Sequence, residues 1–149
     1  MARPSSLFIS HGSPDLIFHD TVAKQFLERA AESFAPPKGI IIASAHFETE
    51  RPAIVSDPAP EMIYDFGPID RRLNEVVYPA LGEPELAQRA ANLLGNSGIE
   101  CDLMRKRGYD HGTWVPLSLL YQNADIPIVQ LSVQRHLPAS HHYLSLIHI

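Results

Sequence analysis

Three histidines sit in settings suited to metal or proton chemistry. They are His11 in Ser10-His11-Gly12-Ser13-Pro14, His46 in Ser44-Ala45-His46-Phe47-Glu48, and His111 in Asp110-His111-Gly112-Thr113-Trp114. Neutral imidazole ligates zinc, iron, nickel or copper, and its ordinary pKa lies closest to neutral pH. His11 and His46 each close a short apolar run, so rigid elements deliver both rings, and together they can hold a divalent ion. His11 also has a plainer reading, an imidazole bonded into its own turn with Ser13 as partner. Glu48 is either the carboxylate of a two-histidine, one-carboxylate facial set, as in non-haem iron sites, or a surface group. His111 is either a general acid/base or a capping residue at a helix start near Thr113. Trp114 beside it reads as core or pocket wall. Among His136, His141 and His142, the last is best placed to line a pocket, although a polar loop and helix start explain all three.

The elements that must position these rings are legible as a pattern. Residues 5–11, 39–45, 53–56, 99–104 and 126–133 read as strands. Continuous Ile/Val/Leu runs such as Gly39-Ile40-Ile41-Ile42-Ala43 belong to strands buried on both faces. Helices are expected from Asp20 or Thr21 to about Phe34, with Val22, Phe26, Leu27 and Ala30 on one face, from Pro84 to Leu94, and from Trp114 to Leu120. Residues 57–68 are rich in proline, lack a period and read as a long functional loop. Alternating helices and apolar strands define an α/β class with a mainly parallel or mixed central sheet flanked by helices. In such sheets ligands bind outside the carboxyl ends of the strands, where His11 and His46 fall.

Bulk properties narrow the function. A chain of 149 residues, 45% hydrophobic, holds one core. The net charge is −5 and the densest basic group is Arg105-Lys106-Arg107, too small a footprint for a nucleic-acid binder. The single cysteine, Cys101, excludes an internal disulfide and suits a reducing cytoplasm. No apolar run approaches a membrane span, and no signal-peptide organisation is present. Ser13 lacks a nucleophile-elbow setting, and no glycine-rich phosphate loop occurs.

Six segments in order carry a resemblance: Ser10-His11-Gly12-Ser13-Pro14, Ser44-Ala45-His46-Phe47, Ile63-Tyr64-Asp65-Phe66-Gly67, Tyr78-Pro79-Ala80, Asp110-His111-Gly112-Thr113-Trp114-Val115-Pro116-Leu117 and Ile126-Pro127-Ile128-Val129-Gln130-Leu131-Ser132. Across residues 5–143 the chain resembles the class III extradiol ring-cleavage dioxygenases of subunit-B type, in their DOPA-dioxygenase-like branch. The resemblance implies metal ligands at His11 and His46 and an acid/base histidine at His111. It implies a non-haem Fe(II) cofactor, with zinc as the alternative metal, and a catechol and O2 as the small-molecule partners. Non-enzymatic relatives and zinc-dependent hydrolases are the competing readings.

Members of that family are markedly longer. The chain is therefore expected to be the N-terminal part of one catalytic domain, residues 1–143, lacking its C-terminal portion and the remaining metal-site histidines. Leu144-Ser145-Leu146-Ile147-His148-Ile149 resembles the translation of a transposase sequencing adapter. Residues 144–149 are expected to be a foreign tail, and the fragment by itself to be inactive.

Overall fold

The computed structural model describes residues 6–149. Its elements are α1 (Val22–Ala30), β1 (Ile40–Glu48), β2 (Ala53–Val55), α2 (Pro84–Asn96), β3 (Asp102–Met104), α3 (His111–Leu120), β4 (Ile128–Val133) and α4 (Ala139–His148), with 3₁₀ turns at Pro14–Phe18, Ala31–Ser33 and Arg71–Glu75. The four strands form one mixed sheet in the order β1-β4-β2-β3. β1 runs parallel to β4 and β2 parallel to β3, while β2 and β4 pair antiparallel.

Side-chain alternation along a strand divides the core in two. Ile40 and Ile42 of β1 and Ile128 of β4 pack on the face that carries Trp114, Val115 and Leu117 of α3. Ile41, Val129 and Leu131 point the other way, onto Ala87, Ala90 and Leu94 of α2. The result is three layers, with the sheet between α3 and α2. α3 is buried nearly all round, as expected of a helix that is apolar on every side.

Three expectations change. The run ending at His11 is not a strand: residues 6–11 join no ladder, and residue 5 lies outside the described residues. A strand exists only through its partners' hydrogen bonds, and this run buries only part of itself. Ile9 packs against the α3 cluster while Phe8 is fully exposed. On α1, Thr21 is the cap, its hydroxyl accepting from the Lys24 N–H. Leu27 is the residue α1 buries, whereas Val22 and Phe26 face solvent. Finally, α3 begins at His111, three residues earlier than its apolar run suggests, because Asp110 supplies the cap: its carbonyl accepts the N–H groups of Thr113 and Trp114.

Candidate metal centre

The histidines arrive by three different routes. His46 lies near the carboxyl end of β1, where pairing with β4 loses register. The five-residue step from Ala43 to Glu48 faces only the two-residue step from Leu131 to Val133. Such irregularities re-aim side chains beside functional sites. His111 is the first residue of α3. His11 stands in the segment before the Pro14–Phe18 turn, followed by Gly12 at φ +62, a conformation that favours glycine.

Their ring nitrogens gather within 4.8 Å of one another. The Nε2 atoms of His11 and His46 are 3.0 Å apart. Ring centroids are separated by 5.0 Å for His11 and His46, 4.8 Å for His11 and His111, and 3.9 Å for His46 and His111. Two imidazole nitrogens on one ion, each about 2.0–2.1 Å from it, stand roughly 2.9–3.4 Å apart at ligand angles between right-angled and tetrahedral. The observed 3.0 Å fits that span. The His11 and His46 imidazoles, with the His111 ring beside them, therefore suit a borderline divalent ion such as Fe(II) or Zn(II).

Packing at this point is tight. A Cβ on Gly112 would stand 2.5 Å from Ser44 Oγ and 2.9 Å from His46 Cδ2. Only glycine lets the start of α3 approach β1 closely enough to bring His111 against His46. Burial, followed by the neighbouring His111 and His46, lowers the pKa of His11, favouring the neutral ring a metal requires.

Two carboxylates hold the arrangement. Asp65 accepts both the backbone N–H of His111 and its Nδ1, each at 2.9 Å. Burial alone would raise the Asp65 pKa, but the donors of His111 outweigh it and the net shift is downward. An ionised carboxylate only accepts, so Nδ1 carries a proton, and in the neutral ring Nε2 is the nitrogen with the lone pair. Asp65 belongs to the long loop after β2. Reciprocal bonds between that loop and Tyr109 (Ile63 N–H to Tyr109 O, and Tyr109 N–H to Glu61 O, both 2.7 Å) fix its course. The Trp114 indole N–H also donates to the Ile63 carbonyl at 3.1 Å.

Asp110 is fully buried. Its carboxylate accepts from Ser44 Oγ at 2.6 Å, from Arg107 Nη2 at 3.0 Å and from Gln130 Nε2. It thus ties β1, β4 and the start of α3 together below the histidines. The sequence places Asp110 next to His111, yet its side chain turns away; Asp65, 46 positions earlier, orients the imidazole. Sequence reasoning missed both roles. The available signals were a carboxylate inside the Tyr64-Asp65-Phe66-Gly67 motif and an aspartate immediately before a buried apolar helix.

The other candidates lie elsewhere. Glu48 stands apart from the three imidazoles and pairs with Arg135 at 3.6 Å. Trp114 is fully buried and reaches the site through Phe66, whose ring is 6.1 Å from Trp114 and 5.9 Å from His111. His142 lies on α4 with Nε2 3.1 Å from the Gln134 carbonyl oxygen. His136 approaches Glu50 at 4.0 Å.

A mixed α/β sheet with three imidazoles converging at its rim defines a metal-centre architecture. The chain belongs to the family of the catalytic LigB subunit of aromatic ring-opening dioxygenase, whose model matches residues 5–145. It is 46% identical over 142 residues to a 4,5-DOPA dioxygenase extradiol of Beta vulgaris, covering 93% of this chain and 53% of the relative. It is 36% identical over 141 residues to the protein of the same name in Escherichia coli K12, covering 95% and 52%. Among solved structures it is similar to an uncharacterized protein, JW3007, from Escherichia coli K12. That match has a TM-score of 0.66 at 32% identity and covers 83% of this chain and 45% of the other. The chain spans about half the length of the curated relatives it matches.

Proposed function

We propose that this chain is the N-terminal half of an extradiol dioxygenase that opens a catechol ring, DOPA or a close analogue, with Fe(II) and O2. His11 and His46 hold the ion and His111 moves the protons. The observation that carries this reading is the convergence of the three imidazoles, with His111 oriented by Asp65. When bound, a ferrous ion lowers the pKa of a ligated hydroxyl and supplies the redox partner for O2, with zinc as the redox-inert alternative. In the neutral ring whose Nδ1–H faces Asp65, His111 Nε2 accepts a proton from the catechol and later returns it. Asp65 keeps the Nδ1 proton in place throughout. Phe66 and the buried Trp114 behind it form the apolar wall beside His111.

Residues 144–149 are proposed to be foreign to the natural protein, and the 149 residues alone to turn over little. α4 runs across that boundary and leaves Leu144, Leu146 and Ile147 half exposed, a surface that favours aggregation. Among the described residues no helix is long and apolar enough to cross a membrane, and a cytoplasmic setting is part of the proposal.

The test is anaerobic iron loading of the full-length protein, followed by addition of a catechol and then O2. A yellow ring-cleavage product with matched O2 uptake is expected, and far less from the 149-residue fragment. Turnover with zinc and without O2 uptake would replace this reading with a hydrolase.

A further inference from the structure

A cleft of about 500 Å³ opens beside His46, lined among others by Phe47, Glu48, Ile63, Met104, Lys106 and Arg107. Its lining combines apolar Phe47, Ile63 and Met104 with charged Glu48, Lys106 and Arg107. Charge accounting decides what it accepts. Arg107 is already engaged, with its guanidinium 4.0 Å over the Phe47 ring and Nη2 on buried Asp110. Glu48 faces Arg135. Lys106 is exposed and, among the described residues, no carboxylate oxygen lies within 4.0 Å of its ammonium. The cleft therefore carries one uncompensated positive charge, on a flexible stem, next to a proposed metal ligand.

We infer that Lys106 is a specificity-determining residue: the cleft takes the side chain of the substrate, and Lys106 pairs with an anionic group, a carboxylate, on that side chain. The inference deepens the proposed ring-opening reaction and rests on that reading for the placement of the diol at the histidines. Phe47, Ile63 and Met104 supply the apolar passage between ring and tail. Lysine suits this role because an ammonium on a long stem accepts a carboxylate from several directions, without the fixed fork of arginine. A cationic tail in the same place would meet a like charge, which gives the discrimination a repulsive element as well as an attractive one.

The test uses three probes against the full-length, iron-loaded protein under anaerobic conditions, so that calorimetry reads affinity without turnover. They are 3,4-dihydroxyphenylacetate (anionic tail), 4-methylcatechol (neutral) and dopamine (cationic). The wild type is expected to bind the anion about tenfold more tightly than dopamine, a ratio typical of one good charge contact. Lys106→Met removes most of that ratio and Lys106→Glu inverts it. Lys38→Met, an exposed lysine outside the cleft, keeps the wild-type ratio, and matched melting temperatures certify that the variants fold. Equal ratios in the wild type and Lys106→Met overturn the inference even if every catechol is opened. Ring opening that fails for all three probes while the anion preference persists overturns the proposed reaction and leaves the role of Lys106 standing.

Discussion

His111 and His11 occupy the same cluster but are held in opposite ways. His111 begins a buried helix, its backbone N–H and Nδ1 both end on Asp65, and the carboxylate of Asp110, the residue before it, is bonded to two strands. His11 follows a run that joins no ladder and includes an exposed Phe8. Its Nδ1 is buried without a hydrogen-bond partner, and its polar side-chain contact is with His46. One side of the centre is fixed by its own hydrogen bonds, and in the proposed function the other is completed by the ion that His11 and His46 share. Orienting partners set the tautomer and basicity of an imidazole. Under the proposed function, the proton-moving role goes to the well-held ring and the ion-holding role to His11 and His46.

Breaking the firm side should have the largest effects. His111→Ala is expected to lower ring opening by roughly 10²–10⁴-fold, the range for a lost general acid/base, with bound iron retained. Steady-state kinetics with metal analysis checks this. Asp110→Ala strands the donors of partly buried Arg107 and of buried Gln130 and Ser44 at once and should cost about 3–5 kcal/mol, as for a broken buried ion pair. Denaturant melts measure it. Asp65→Asn keeps the shape but lets the His111 tautomer go, and activity should fall roughly 10–100-fold with little change in melting. Gly112→Ala pushes a methyl into Ser44 Oγ and His46 Cδ2. The expected cost is about 1–3 kcal/mol of overpacking, together with weaker metal binding.

The smallest effect lies away from both sides and serves as a reference. Burial, with Asp102 adding, pushes the Cys101 thiol up to about 11. As pH rises past the ordinary thiol range near about 8.5, the unfolded chain loses this proton first. Stability therefore falls with pH between there and about 11, and is undiminished below. Alkylation of the folded protein should be slow at pH 8 and still accelerating at pH 10, whereas a variant loosened near β3 should react at the rate of an ordinary thiol.

Periodicity made most of the scaffold legible. β1, β4, α2 and the capped start of α1 follow from apolar runs, a proline at a first helical turn and Thr21. The same reasoning misread residues 6–11, because an apolar run records the tendency to be buried and not the presence of a ladder partner. It groups Val22 and Phe26 with Leu27 on one face of α1, yet only Leu27 is buried, because helical spacing fixes a face without saying how much of it meets a neighbour. The histidines were legible one at a time from His-Gly settings and strand ends. Their supports were not: Asp65 reaches His111 across 46 positions and Ser44 reaches Asp110 across 66. The first contact depends on the packed loop after β2, which carries no period of its own, and the second on how closely the start of α3 packs on β1.

The most direct test of the shared ion is its affinity and stoichiometry in wild-type protein, His11→Ala and His46→Ala, measured by anaerobic Fe(II) titration with elemental analysis. One ion per chain in the wild type, and loss of tight binding in both variants, is the predicted result. Wild-type affinity retained in either variant would contradict it.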